Sequence, residues 1–130
     1  MVPPRKPFMV VFLASFVVSG AILWIIPYEE ASLLEPSFYW KWLVAIGVIA
    51  AVASQRTSLT FSDCVTAAGF GPAAADLARI VVESSLNPTR HDMWPFEIIV
   101  SLCIGGIAAL AGAGAVFTTK KFRKRTQQDT

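Results

Sequence analysis

Charge is scarce in this chain. Asp, Glu, Lys and Arg make up 15% of its 130 residues, against roughly 25% in ordinary soluble domains. A chain that is 55% hydrophobic with so little charge cannot cover its core with polar surface in water, which excludes a soluble globular domain. Cysteine is nearly absent as well. Cys64 and Cys103 both stand in apolar stretches and no CxxC occurs, so no disulfide framework and no cysteine-based zinc or redox site is expected. Both read as small buried side chains. The single histidine, His91, has scattered carboxylates around it with no recognised metal spacing, so neither a metal nor a cofactor is expected. No Ser/His/Asp or Cys/His arrangement occurs, and GFGPAAAD, from Gly69 to Asp76, is not a phosphate loop. Catalysis is therefore not expected, and any there were would fall to His91 and Glu97. Asn87-Pro88-Thr89 is no glycosylation acceptor, because proline occupies its middle position.

What the chain has instead is apolar length. Four segments read as transmembrane helices, at about residues 8–27, 37–54, 61–84 and 94–118, which makes the fold an all-α integral membrane protein. It is one domain over residues 1–130, with a short basic tail from residue 119. The first segment, Phe8 to Ile26, runs 19 residues without a charge. That exceeds the ~7–15 residues of a signal h-region, and PYEEASLLE behind it offers no small-x-small cleavage site, so it reads as an uncleaved span. The second opens on Ser37, a helix cap. Phe38, Tyr39, Trp40 and Trp42 then form an aromatic belt, and Lys41 among them can snorkel to the headgroups.

The third segment is weakly hydrophobic. Thr60 and Asp63 form a capping box at its start. Pro72 cannot donate to the carbonyl of Ala68, so a kink is expected over Gly69, Gly71 and Pro72. A re-entrant hairpin or an interfacial helix is also open for this stretch. In the fourth segment Ser101, Gly105, Ala109 and Ala113 recur every four residues, which smooths one helix face for close packing against another helix.

Basic residues set the threading. Arg5 and Lys6 precede the first segment, and Lys120, Lys121, Arg123, Lys124 and Arg125 follow the last. The positive-inside rule then places both termini in the cytoplasm of a cell (inner or plasma) membrane, which requires an even number of crossings. Glu29, Glu30 and Glu35 suit an outer first loop, and Arg56 an inner second one. The basic tail reads as an anchor on anionic headgroups rather than a nucleic-acid site.

One polar cluster remains. Asp76, Arg79 and Glu83 share a helix face, and with His91 and Glu97 they fall at the outer end, where they form either an ion-paired rim or a polar pocket. The expected partners are the lipid bilayer and other membrane protein chains or the protein itself. The expected role is that of an accessory subunit or homo-oligomer. A small proton or cation transporter built on the outer cluster is the alternative.

Overall fold

A computed structural model describes residues 4–25, 36–88 and 94–129. Among them the fold is all-helical: α1 (Arg5–Ile25), α2 (Pro36–Arg56), α3 (Phe61–Leu86) and α4 (Trp94–Gln128). The acidic residues Glu29, Glu30 and Glu35 lie outside the described residues, as do Arg90, His91 and Asp92 and the last two positions of the first expected span.

Local chemistry accounts for the helix ends. Thr60 caps α3, its hydroxyl accepting from the Asp63 amide at 3.2 Å. Pro36 opens α2, where its fixed φ suits a first turn and its missing N–H costs nothing. The helix thus begins one residue before Ser37, the expected cap. α3 is continuous across Pro72, so the chain does not turn back at GFGP and the re-entrant hairpin is excluded. α4 continues ten residues beyond the expected span, to Gln128. Lys, Arg and Gln are good helix formers, and a helix that leaves lipid can persist in water on such residues.

Cross-helix contacts fix the directions. Ser15 and Leu23 of α1 meet Ala68 and Arg79 of α3 in the same order, so these helices are parallel. Ser101 and Gly105 of α4 meet Asp76 and Gly69 of α3 in reverse order, so α3 and α4 are antiparallel. Gly47 and Ser54 of α2 meet Gly112 and Lys120 of α4 in the same order. The bundle thus runs up, down, up, down, with the starts of α1 and α3 at the same end as the close of α4. α1 packs mainly on α3, α3 on α4 and α4 on α2, while α1 and α4 are not neighbours among the described residues.

The distribution of side chains is that of a membrane protein. The fully buried positions are mostly small, such as Ala50, Cys64, Ala67, Ala68, Ala109 and Ala113. Large apolar residues such as Val10, Val17, Trp24, Val48, Val81, Ile99 and Ile107 face outward. Lipid removes the hydrophobic drive between helices, so backbone proximity and van der Waals contact must hold them together. Gly105 lies against the Gly69 carbonyl and Gly112 against the Gly47 backbone, too close for any side chain at either. Gly71 sits in the same way against Ser15.

Three helices among the described residues, α1, α3 and α4, are long and apolar enough to cross a bilayer, where four were expected. The helix left out is α2, not the weakly hydrophobic α3. Over the described residues of α2, Lys41 near its start and Gln55-Arg56 at its close weigh against the apolar run between them. Cys103 corrects a second expectation: it is exposed on the outward side of α4, while Cys64 is buried.

Candidate functional site

The polar groups of the bundle serve backbone carbonyls that the helices themselves leave open. Pro72 has no N–H, so the carbonyl of Ala68 loses its intrahelical donor. The hydroxyl of Ser15, on α1, donates to that carbonyl at 2.6 Å. A freed backbone group at membrane depth is normally satisfied by a neighbouring side chain in this way. Gly71 makes the bond reachable, because any side chain there would occupy the space of Ser15.

The same logic recurs at the far end of α1. The donor to the Leu23 carbonyl would come from residue 27, which is again a proline. The guanidinium of Arg79 reaches across from α3 and donates through Nη1 to that carbonyl at 2.7 Å. A cation at a helix C-terminus also meets the negative end of the helix dipole. Through Nε, Arg79 donates to Glu83 one turn on at 2.8 Å. At the opposite end of the bundle α2 finishes, and Lys120 of α4 donates to its Ser54 carbonyl at 2.5 Å.

Asp76, Arg79 and Glu97 are 6%, 4% and 9% exposed, which makes them buried ionisable groups. Asp76 accepts from Ser101 of α4 at 2.7 Å. Ser101 and Glu97 lie one turn apart on α4 and share its buried face towards α3. The cluster therefore lies along α3, where that helix meets α1 through Arg79 and α4 through Asp76, about 10–15 Å from the end of α3 at ~1.5 Å per residue. Deep burial of charge is tolerated only with partners, since an orphaned one costs about 3–5 kcal/mol. No buried side-chain nitrogen or oxygen among the described residues is without a hydrogen bond.

Of the five residues named from sequence, Asp76, Arg79, Glu83 and Glu97 fall in this cluster, and His91 lies outside the described residues. The stripe of Ser101, Gly105, Ala109 and Ala113 is buried. Gly69, Gly71 and Pro72 lie where α3 meets both α1 and α4. Sequence reasoning missed the polar contacts that α1 and α2 make. Ser15 and Ser19 are fully buried, and Ser19 accepts from Trp42 Nε1 at 2.9 Å. A signal was there, since two serines four apart in an uncharged run mark one polar face. No group of three or more His, Cys, Asp or Glu side chains able to hold a metal occurs among the described residues.

Compared with protein-family models, with curated proteins and with solved structures, the chain matches none. The functional reading therefore rests on geometry.

Proposed function

We propose that this is a small multi-pass membrane protein with no catalytic activity of its own, which works through helix–helix association as an accessory subunit or a homo-oligomer. The observation that carries this reading is on α4. Gly106 and Gly114 have open space beside them, where a Cβ would meet nothing within 4 Å. Two turns apart, they share the outward side of the helix with the exposed Cys103, Ile107 and Leu110. Glycine gains nothing from lipid, but it lets a second helix backbone approach.

The threading belongs to the same proposal. α2 lies beside α4 from Gly47 to Ser54 and reaches α1 through Trp42, so it shares the depth of its neighbours and crosses with them. Its aromatic belt and Lys41 meet one headgroup layer. Both termini then stand on the cytoplasmic side of a cell (inner or plasma) membrane, the side the positive-inside rule assigns to the bases around them.

Oxidative cross-linking in native membranes tests association. Chains joined through Cys103, or a larger complex retained in mild detergent, are expected in the wild type, and both should be lost in Gly106→Leu/Gly114→Leu. A chain that runs as a monomer in membranes and detergent alike would end this reading. The alternative, a proton or cation transporter, draws on Asp76, Arg79 and Glu97, because buried ionisable groups in membrane helices are functional candidates by default. Its test is ion flux into proteoliposomes, abolished in Asp76→Asn.

A further inference from the structure

The two ends of the bundle differ in charge. The end where α4 emerges carries Arg5, Lys6, Arg56, Lys120, Lys121, Arg123, Lys124 and Arg125 against Asp63 and Asp129. A groove of about 400 Å³ opens there between α2 and α4, lined by Gln55, Ala115, Val116, Thr119, Lys120 and Arg123. Along the outer surface of α4 itself, Lys121 and Lys124 continue the basic face of Lys120 and Arg123. We infer that this end holds a site for one anionic phospholipid, its phosphate between Lys120, Arg123 and Lys124 and its acyl chain along Ala115 and Val116.

Three features support the assignment. First, the groove straddles the boundary between oil and water. Ala115 and Val116 belong to the last apolar turn of α4, and the bases begin one turn later, level with the end of α2. A phospholipid has the same division, whereas a nucleic acid, charged along its whole backbone, would leave the apolar floor uncovered. Secondly, one wall is fixed in advance. Lys120 is tied to the Ser54 carbonyl and lies 5.7 Å from the Phe117 ring centroid. That ring packs edge-on against Phe61 of α3, with centroids 5.4 Å apart. Thirdly, Arg123 and Lys124 stand three and four residues from Lys120 on the same side of the helix. Both are exposed, and neither makes a hydrogen bond or ion pair among the described residues, so their donors are available to a phosphate. Net charge decides between headgroups: bases outnumber acids at this end, which disfavours the ammonium of a zwitterionic lipid.

The inference rests on the bundle lying in a bilayer but not on its association, and the test reads lipid per chain whatever the oligomer. The full-length protein in detergent is titrated with dioleoyl-phosphatidylglycerol or dioleoyl-phosphatidylcholine, and bound lipid is counted by native mass spectrometry. One phosphatidylglycerol per chain is expected at concentrations about tenfold below those needed for phosphatidylcholine. Each base near a lipid surface is worth about fivefold in affinity, so Arg123→Gln/Lys124→Gln should abolish the preference. Arg5→Gln/Lys6→Gln removes the same charge from the same end and should change binding by less than about twofold. Circular dichroism confirms folding, which exposed substitutions of this kind leave intact. Equal binding of the two lipids would overturn the inference. So would an equal loss in both double variants, which would mean diffuse attraction, or a preference that survives without Arg123 and Lys124.

Discussion

Ser15→Ala removes one hydroxyl from the centre of the bundle, and its cost depends on a residue in another helix. The lost bond is the 2.6 Å contact to the Ala68 carbonyl, which Pro72 has left without an intrahelical donor. A buried acceptor left unsatisfied costs about 1–3 kcal/mol. Side-chain hydrogen bonds between membrane helices average about 0.6 and reach about 1.7. A cost of about 1–1.5 kcal/mol is therefore expected, towards the upper end because no local donor can replace the hydroxyl. In Pro72→Ala the amide of residue 72 returns and can donate to Ala68 itself. The same Ser15→Ala change should then cost less than about 0.5 kcal/mol, a coupling of about 1 kcal/mol across the double-mutant cycle. Pro72→Ala also empties packing space, since Pro72 is among the most buried side chains, but the cycle subtracts that term. Unfolding in mixed micelles titrated with dodecyl sulfate, followed by circular dichroism, measures all four corners. Equal cost in both backgrounds would refute the view that Ser15 stands in for the missing amide.

Other positions separate packing from exposure. Gly112→Leu drives a side chain into the Gly47 backbone and should cost about 3 kcal/mol or more, whereas Gly114→Leu meets open space and should leave the unfolding midpoint of the single chain within about 0.5 kcal/mol. Arg79→Leu strands the Leu23 carbonyl and leaves Glu83 without its cation, so a loss of about 3–5 kcal/mol is expected in the same titration. Arg79→Leu/Glu83→Leu should recover part of that loss, because it also removes the carboxylate that Arg79 had paired. Trp42→Phe keeps the ring buried but deletes the bond to Ser19. It should cost about 0.5–1.5 kcal/mol, and in Ser19→Ala most of that penalty should vanish.

Much of the local architecture was legible in the residues. Thr60 and Asp63 mark the start of α3 because a hydroxyl three residues before a free amide satisfies it whatever the tertiary context. The four apolar segments correspond to the four helices because hydrocarbon leaves the backbone no other way to pair its polar groups. The far end of α4 was harder to read. Hydropathy stops at Thr119, but the helix stops at Gln128, because the first reports solvent and the second reports backbone propensity. Of the four expected spans, length and composition among the described residues support three. Lys41 and Gln55-Arg56 weigh against the apolar centre of α2 over those residues.

By itself the sequence determined which stretches are helical, where caps and prolines interrupt the hydrogen-bond ladder, and which end of the chain is basic. These are local matters, settled within a turn or two. Which helices meet, and which side chain fills each gap, only the tertiary structure decided. The short link between α2 and α3 does not make them close partners, and α1 packs on α3 past its chain neighbour. A proline announces an open carbonyl, but Ser15 and Arg79 lie 53 and 56 residues from the carbonyls they serve. Such distant groups meet only because small residues let the backbones approach, and which faces come together is a property of packing that no local pattern encodes.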